Sequence, residues 1–234
     1  MRTRRRFNNA VAMLIVLAIA AGVGWIYYRD NVDRHADAGP APAATPGYDA
    51  ARSEIEALPV RGWDPVRDFD RFRFGEAWSD DVNVQFGHNG CNTRDDILRR
   101  DLLDLQVRPG TCFAQRGILH DPYTGATIDF VRGPGTSSAV QIDHMVSLSD
   151  AWYTGARAWD DQRRRDFAND PRNLLAVGGQ VNFDKAFRDV ASWLPPNAAF
   201  RCAFVARVVE VKTAYRLGVS SKEKDAMRRV LRDC

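Results

Sequence analysis

The sequence is poor in the features that most quickly assign a function. Its 234 residues hold four cysteines and no Cys-x-x-Cys pair, which argues against a zinc knuckle. No internal repeat is visible. With 45% hydrophobic and 27% charged residues, the chain has neither collagen-like nor mucin-like bias, and it is not wholly disordered. It also lacks a basic field. The formal charge is +3, yet residues 1–30 carry five Arg against one Asp, leaving 28 basic and 29 acidic side chains elsewhere. A polyanion partner would therefore have to be held by a local cluster of Lys and Arg.

One long hydrophobic run is present. Residues 10–28 are nineteen positions without charge, preceded by Arg2, Arg4, Arg5 and Arg6. That length approaches the roughly 20 residues needed to cross a bilayer, and a positive flank stays in the cytoplasm. The segment 1–30 is expected to be a signal-anchor or transmembrane helix, N-terminus inside, with membrane contact through residues 10–28. A secreted product is the alternative if Ala18-Ile19-Ala20 is a cleavage site. Both readings export the remainder. Residues 36–47, Ala-, Pro- and Gly-rich, cannot build a core, so 31–47 reads as a linker. Residues 48–234 then form one domain of ordinary size.

In an oxidising compartment an even cysteine count favours disulfides. Cys91, Cys112, Cys202 and Cys234 allow three pairings. Apolar residues at helical spacing over 202–217, then Ser220 as an N-cap with Glu223 three residues on, suggest two antiparallel helices. Such a hairpin brings Cys202 beside Cys234 and leaves Cys91 for Cys112.

Helical spacing also predicts helices over 48–58, 93–105 with Thr93 as cap, 149–167 and 180–190. Short apolar segments between turn signals predict strands at 118–119, 128–130, 140–142 and 173–177. Residues 59–74 read as irregular. The class is α+β. Trp152, Trp159 and Trp193 sit among helical-period neighbours and read as core, and Tyr123 reads as a turn aromatic. Arg163, Arg164 and Arg165 read as a solvated helix face, with tracking of a nucleic-acid backbone the alternative.

The densest group of reactive side chains is Asp143-His144 at a strand end, Asn173 at the start of the next strand, and Asn182 and Lys185 on the following helix. Strand, strand and helix in that order can converge on one point. Asp and Asn oxygens suit a hard divalent cation, and a neighbouring imidazole suits a general base. The motifs VQIDHMVSLSDAW, FANDPRNLLAV, NxxK at Asn182 to Lys185, and WLPP, with GCNTRDDILRRDL and DPYTG upstream, resemble the exported branch of the HNH (ββα-metal) nuclease-like proteins. That branch is similar to the C-terminal nuclease domain of a modification-dependent restriction enzyme.

The resemblance implies a ββα-metal (HNH-like) nuclease core embedded in a mostly helical domain. It makes His144 the general base, Asn173 the residue bracing the base loop, and Asp143 and Asn182 the ligands of one Mg²⁺ or Mn²⁺. Arg94 and Lys185 are candidate contacts to substrate phosphate, and Asp95 a weaker one. Asn182 stands where the name-giving motif has His, and Ala186-Phe187 where related sequences usually place Gly-Asp. The expected activity is metal-dependent endonucleolytic hydrolysis of DNA, with RNA open, at low sequence specificity and without a small-molecule organic cofactor. The competing reading is a catalytically inert HNH scaffold that binds nucleic acid or a cell-envelope partner.

Overall fold

A computed structural model describes residues 48–61 and 67–234. The expected anchor and linker, 1–30 and 31–47, lie outside the described residues. Among the described residues no helix is long and apolar enough to cross a membrane. The elements run α1 (Tyr48–Ala57), α2 (Thr93–Asp101), β1 (Leu103–Val107), β2 (Ala114–His120), β3 (Thr127–Val131), β4 (Val140–His144), α3 (Leu148–Thr154), α4 (Asp161–Asn169), β5 (Leu174–Gly178), α5 (Gly179–Lys185), α6 (Arg201–Tyr215) and α7 (Ser221–Arg232). The α+β class is borne out.

Two antiparallel sheets form, β1-β2-β3 and β4-β5. In the second, Val140 pairs with Gly178 and His144 with Leu174, so α3 and α4 are an insertion between the two strands. β5 is buried along its whole length, as its unbroken apolar run requires. Its pleat divides the core: Leu174 and Ala176 enter a smaller cluster with Ile97, Leu98 and Phe130. Leu175 and Val177 enter the larger helical cluster with Val205, Val209 and Met227. The strand that leads into α5 is thus clamped from both faces.

α5 is held equally closely. A Cβ on Gly179 would lie 2.1 Å from the Ser138 carbonyl oxygen, so only glycine lets the helix start there. The disulfides are Cys91–Cys112 and Cys202–Cys234, with Cα atoms 5.6 and 6.0 Å apart. The second closes the α6–α7 hairpin, as helix geometry suggests.

Several expected boundaries shift. Asn92, not Thr93, caps α2, its side chain accepting from the Asp95 N–H. The helix then stops at Asp101 because the following segment is taken by β1, whose Leu103, Gln106 and Val107 pair with β2. The expected helix 149–167 is two helices, broken where Gly155 takes φ 156° and Asp160 caps anew. The helix expected to reach residue 190 ends at Lys185, where Ala186 adopts φ 52°. The expected solvated face holds for Arg163, which is exposed and donates to the Tyr215 carbonyl (2.9 Å), and in part for the half-buried Arg165, which pairs with Asp81, but Arg164 is buried and donates to the Arg73 carbonyl (2.9 Å).

Candidate active site

The end of β4 carries Asp143 and His144, and Asn173 sits across the pair just before β5. Asn173 is fully buried. Its side-chain oxygen accepts from the Val146 N–H (2.8 Å), its amide donates to the Val146 carbonyl (3.1 Å), and its backbone carbonyl accepts from the Met145 N–H (2.8 Å). These three bonds tie down the loop that follows His144. Bracing is what one buried amide with both ends used achieves.

His144 has its Nε2 2.8 Å from the Ala168 carbonyl oxygen. A carbonyl only accepts, so Nε2 carries the proton and Nδ1 of the neutral ring keeps its lone pair. Burial pushes the imidazole pKa down to about 3, the Ala168 bond opposing and Arg71 and Lys185 adding to the depression. The ring is therefore neutral at ordinary pH. Trp78 stacks on it, centroids 5.8 Å apart and planes 13° from parallel. Trp78 holds a left-handed backbone, φ 61°, a conformation costly for a bulky side chain and concentrated at functional sites.

Asp143 is buried, and each of its carboxylate oxygens accepts one hydrogen bond. Its Oδ1 accepts from Lys185 Nζ at 3.0 Å, and its Oδ2 from the Tyr123 hydroxyl at 2.5 Å. Burial raises the carboxyl's pKa while Lys185 and Tyr123 pull it back. Lys185 has no exposed surface, and its ammonium also donates to the His144 carbonyl (2.9 Å). The expected phosphate contact of Lys185 is thereby corrected: the ammonium lies behind the site, neutralising Asp143. Asp95 is likewise structural, accepting from the Ala114 N–H (3.2 Å) and pairing with Arg132. Tyr123 is not a mere turn aromatic, since its hydroxyl orients Asp143.

Asn182, on α5, donates from Nδ2 to Gln141 Oε1 (2.9 Å), which leaves its Oδ1 without a partner among the described residues. Asp143, His144, Asn182 and Arg94 line one cavity of about 1150 Å³. Arg94 is anchored there by Nη2, which donates to the Ser137 and Val140 carbonyls (3.2 and 3.0 Å). Burial, and secondarily Arg132, lowers its pKa. The other wall comes from Arg67, Phe69, Arg71 and Trp78, which sequence reasoning missed. An Arg-rich, aromatic segment read as irregular carries no periodicity to reveal where it packs.

The donor set can be tested against a divalent cation. Among the described residues no group of three or more His, Cys, Asp and Glu could hold a metal. One carboxylate and one unpartnered amide oxygen nevertheless fit a hard ion that keeps most of its water, and each Asp143 oxygen retains a second lone pair. The residues fit Mg²⁺ or Mn²⁺ better than a thiophilic metal.

Comparison with known proteins follows the same segment. The family described as GmrSD restriction endonucleases, C-terminal domain, matches residues 92–230. An uncharacterized secreted protein of Arthroderma benhamiae is 36% identical over 197 residues, 83% of this chain and 90% of its own length. No solved structure matches. Every element from α2 into α7 lies in the matched span, while the cavity wall of residues 67–78 precedes it. The chain belongs to the GmrSD restriction endonuclease C-terminal domain family.

Proposed function

We propose that this protein is an exported, metal-dependent endonuclease whose β4, β5 and α5 form the ββα-metal core. The reading is supported by one observation above the rest: the Nε2 bond to Ala168 leaves His144 Nδ1 unprotonated and without a hydrogen-bond partner among the described residues, beside Asp143 and Asn182, on an arginine-lined cavity. In the reaction, His144 Nδ1 removes a proton from water as its oxygen bonds to phosphorus. The bond from phosphorus to the leaving 3′ oxygen breaks, and that oxygen is then protonated. Asp143 and Asn182 would hold the Mg²⁺ or Mn²⁺, which supplies stabilisation of charge developing on the phosphate and leaving oxygen. Arg94 neutralises a non-bridging oxygen, and Asn173 keeps the base loop in place. DNA is the leading substrate and RNA the second.

Export rests on the hydrophobic run at residues 10–28 and on the similarity to the Arthroderma benhamiae relative, which is described as a secreted protein. We place an N-in anchor at 1–30 and a linker at 31–47 ahead of the nuclease domain at 48–234. The pairing of Asp143 with Lys185 favours a second reading, a scaffold that binds nucleic acid without cutting it.

Plasmid nicking separates the two. Cleavage should require Mg²⁺ or Mn²⁺, stop in EDTA, and fall about 10²- to 10⁴-fold in His144→Ala, with DNA binding kept. Binding without nicking under any divalent ion would establish the scaffold. A His144→Ala protein that nicks at the wild-type rate would remove His144 as the base.

A further inference from the structure

The described residues expose few large hydrophobic side chains; two of them line cavities that His144 also lines, and a third stands on α5. Phe72 is 87% exposed, Phe183 77% and Phe187 65%. Phe187 lines the large cavity. Phe72 lines a second cavity of about 290 Å³ that shares Arg71, Trp78, His144 and Leu148 with the first. Phe183 adjoins Asn182 on α5. Another exposed phenylalanine, Phe113, carries the Arg132 guanidinium over its ring at 5.4 Å. Exposed apolar surface gathered in one place marks a binding surface rather than chance.

Charge points to the same ligand. Arg67, Arg71 and Arg94 line the large cavity, and its buried carboxylate, Asp143, is already neutralised by Lys185. The volume slightly exceeds the roughly 300–1,000 Å³ of a small-molecule site, so a segment of polymer fits better than a single metabolite. His144 lines both cavities, so each of them borders the site's base.

We infer that the site takes single-stranded or locally unstacked nucleic acid, with bases stacked on Phe187 and Phe72 on either side of the phosphate facing His144. The physical reason is that base faces are buried within a duplex. Only an unstacked strand can offer them to aromatic side chains. Trp78 faces the same cavities but is committed to the His144 ring, so the exposed phenylalanines supply the stacking surface. The inference rests on the nucleic-acid reading above and adds strandedness to it. Neither Phe72 nor Phe187 belongs to the hydrophobic core, so both can be replaced without opening a cavity in it.

The test is fluorescence anisotropy on the full-length protein in EDTA, with labelled single-stranded DNA, single-stranded RNA of the same sequence, the DNA duplex, and inorganic polyphosphate as competitor. Single strands should bind at least about 10-fold more tightly than duplex. Phe187→Ala and Phe72→Ala should each weaken single-strand binding by about 5- to 100-fold, the usual range for one lost stacking contact, and leave duplex binding unchanged. Preference between the DNA and RNA strands identifies the sugar. Equal affinity for duplex and single strand, unchanged affinity in both variants with unchanged melting temperature, or polyphosphate competing as well as a single strand would each overturn the inference. Cleavage with Mg²⁺ is read separately. Strand preference without cutting sinks only the nuclease reading; cutting without strand preference sinks only this inference; no binding of any nucleic acid sinks both.

Discussion

Two regions of this protein bury a lysine completely, and they do so to different ends. Lys185 and Lys212 both have no exposed surface. Lys185 meets one carboxylate, Asp143, and that carboxylate also borders the large cavity. Lys212 lies in the helical half between two carboxylates, Asp150 at 2.7 Å and Glu223 at 2.9 Å, and joins α3, α6 and α7. The first cluster is balanced in charge. The second has one negative charge too many, and Asp150 Oδ1 and Glu223 Oε1 have no partner among the described residues. Burial draws the Lys212 pKa down, but the two carboxylates outweigh it and hold the ammonium charged. The surplus is relieved on Glu223, whose carboxyl is pushed up to about 7 by burial and by Asp150 against the pull of Lys212. A buried lysine can thus clamp helices together or stand behind a reactive carboxylate. What distinguishes the roles is whether the carboxylate reaches a cavity.

Removing each lysine should break the comparison most sharply. Lys212→Met strands two carboxylates in a dry core, and should cost about 3–5 kcal/mol of stability, the usual penalty for breaking a buried pair. Denaturant unfolding measures it. Lys185→Met should cost less, because solvent from the cavity can reach Asp143. It should also change how strongly Mg²⁺ or Mn²⁺ protects the fold against heat, whereas Lys212→Met should not. Equal losses, with no change in metal response for either, would erase the distinction.

The next effect is in pH. The folded Glu223 carboxyl holds its proton up to about 7, whereas an unfolded glutamate releases it near 4.5. Between these values the native state binds more protons at Glu223 than the unfolded state, so this group's contribution to stability is complete below about pH 4.5 and falls as pH rises towards 7. The slope is at most about 1.4 kcal/mol per pH unit, or roughly 3 kcal/mol in total. Glu223→Gln should flatten it; a slope unchanged in that variant would place the proton elsewhere. Burial raises the Asp143 carboxyl as well, so its contribution falls with rising pH in the same direction.

The smallest effect sharpens the account of the site's edge. Ala186 holds φ 52° and ψ −125° at the end of α5, a region that suits glycine. Ala186→Gly should raise stability by about 1 kcal/mol, an increase of about 2–4 °C in melting temperature. A lower melting temperature would mean that this backbone is not strained.

The site was legible where chemistry is written in short motifs. Asp143, His144, Asn173 and Asn182 converge because β4, β5 and α5 pack in sequence, and Arg94 lies on the same cavity. The reading failed where a side chain's role depends on which way it points. Lys185 has the residue type of a phosphate ligand, yet it enters the protein because Asp143 offers it a buried partner. Tyr123 has the look of a turn residue, yet its hydroxyl finishes that same carboxylate's hydrogen bonding.

Hydrophobic period and cap chemistry are local, and from them the sequence by itself determined the α+β class, the α6–α7 hairpin and its disulfide, and the order of the site's elements. The tertiary structure decided what depends on contacts distant in sequence. It turned 103–107 into a strand by pairing it with β2 and laid residues 67–78 against the cavity. It also set the ring of His144 with Nε2 on Ala168, 24 residues away. A proton's place on an imidazole depends on the acceptor it meets, and only the folded chain supplies one.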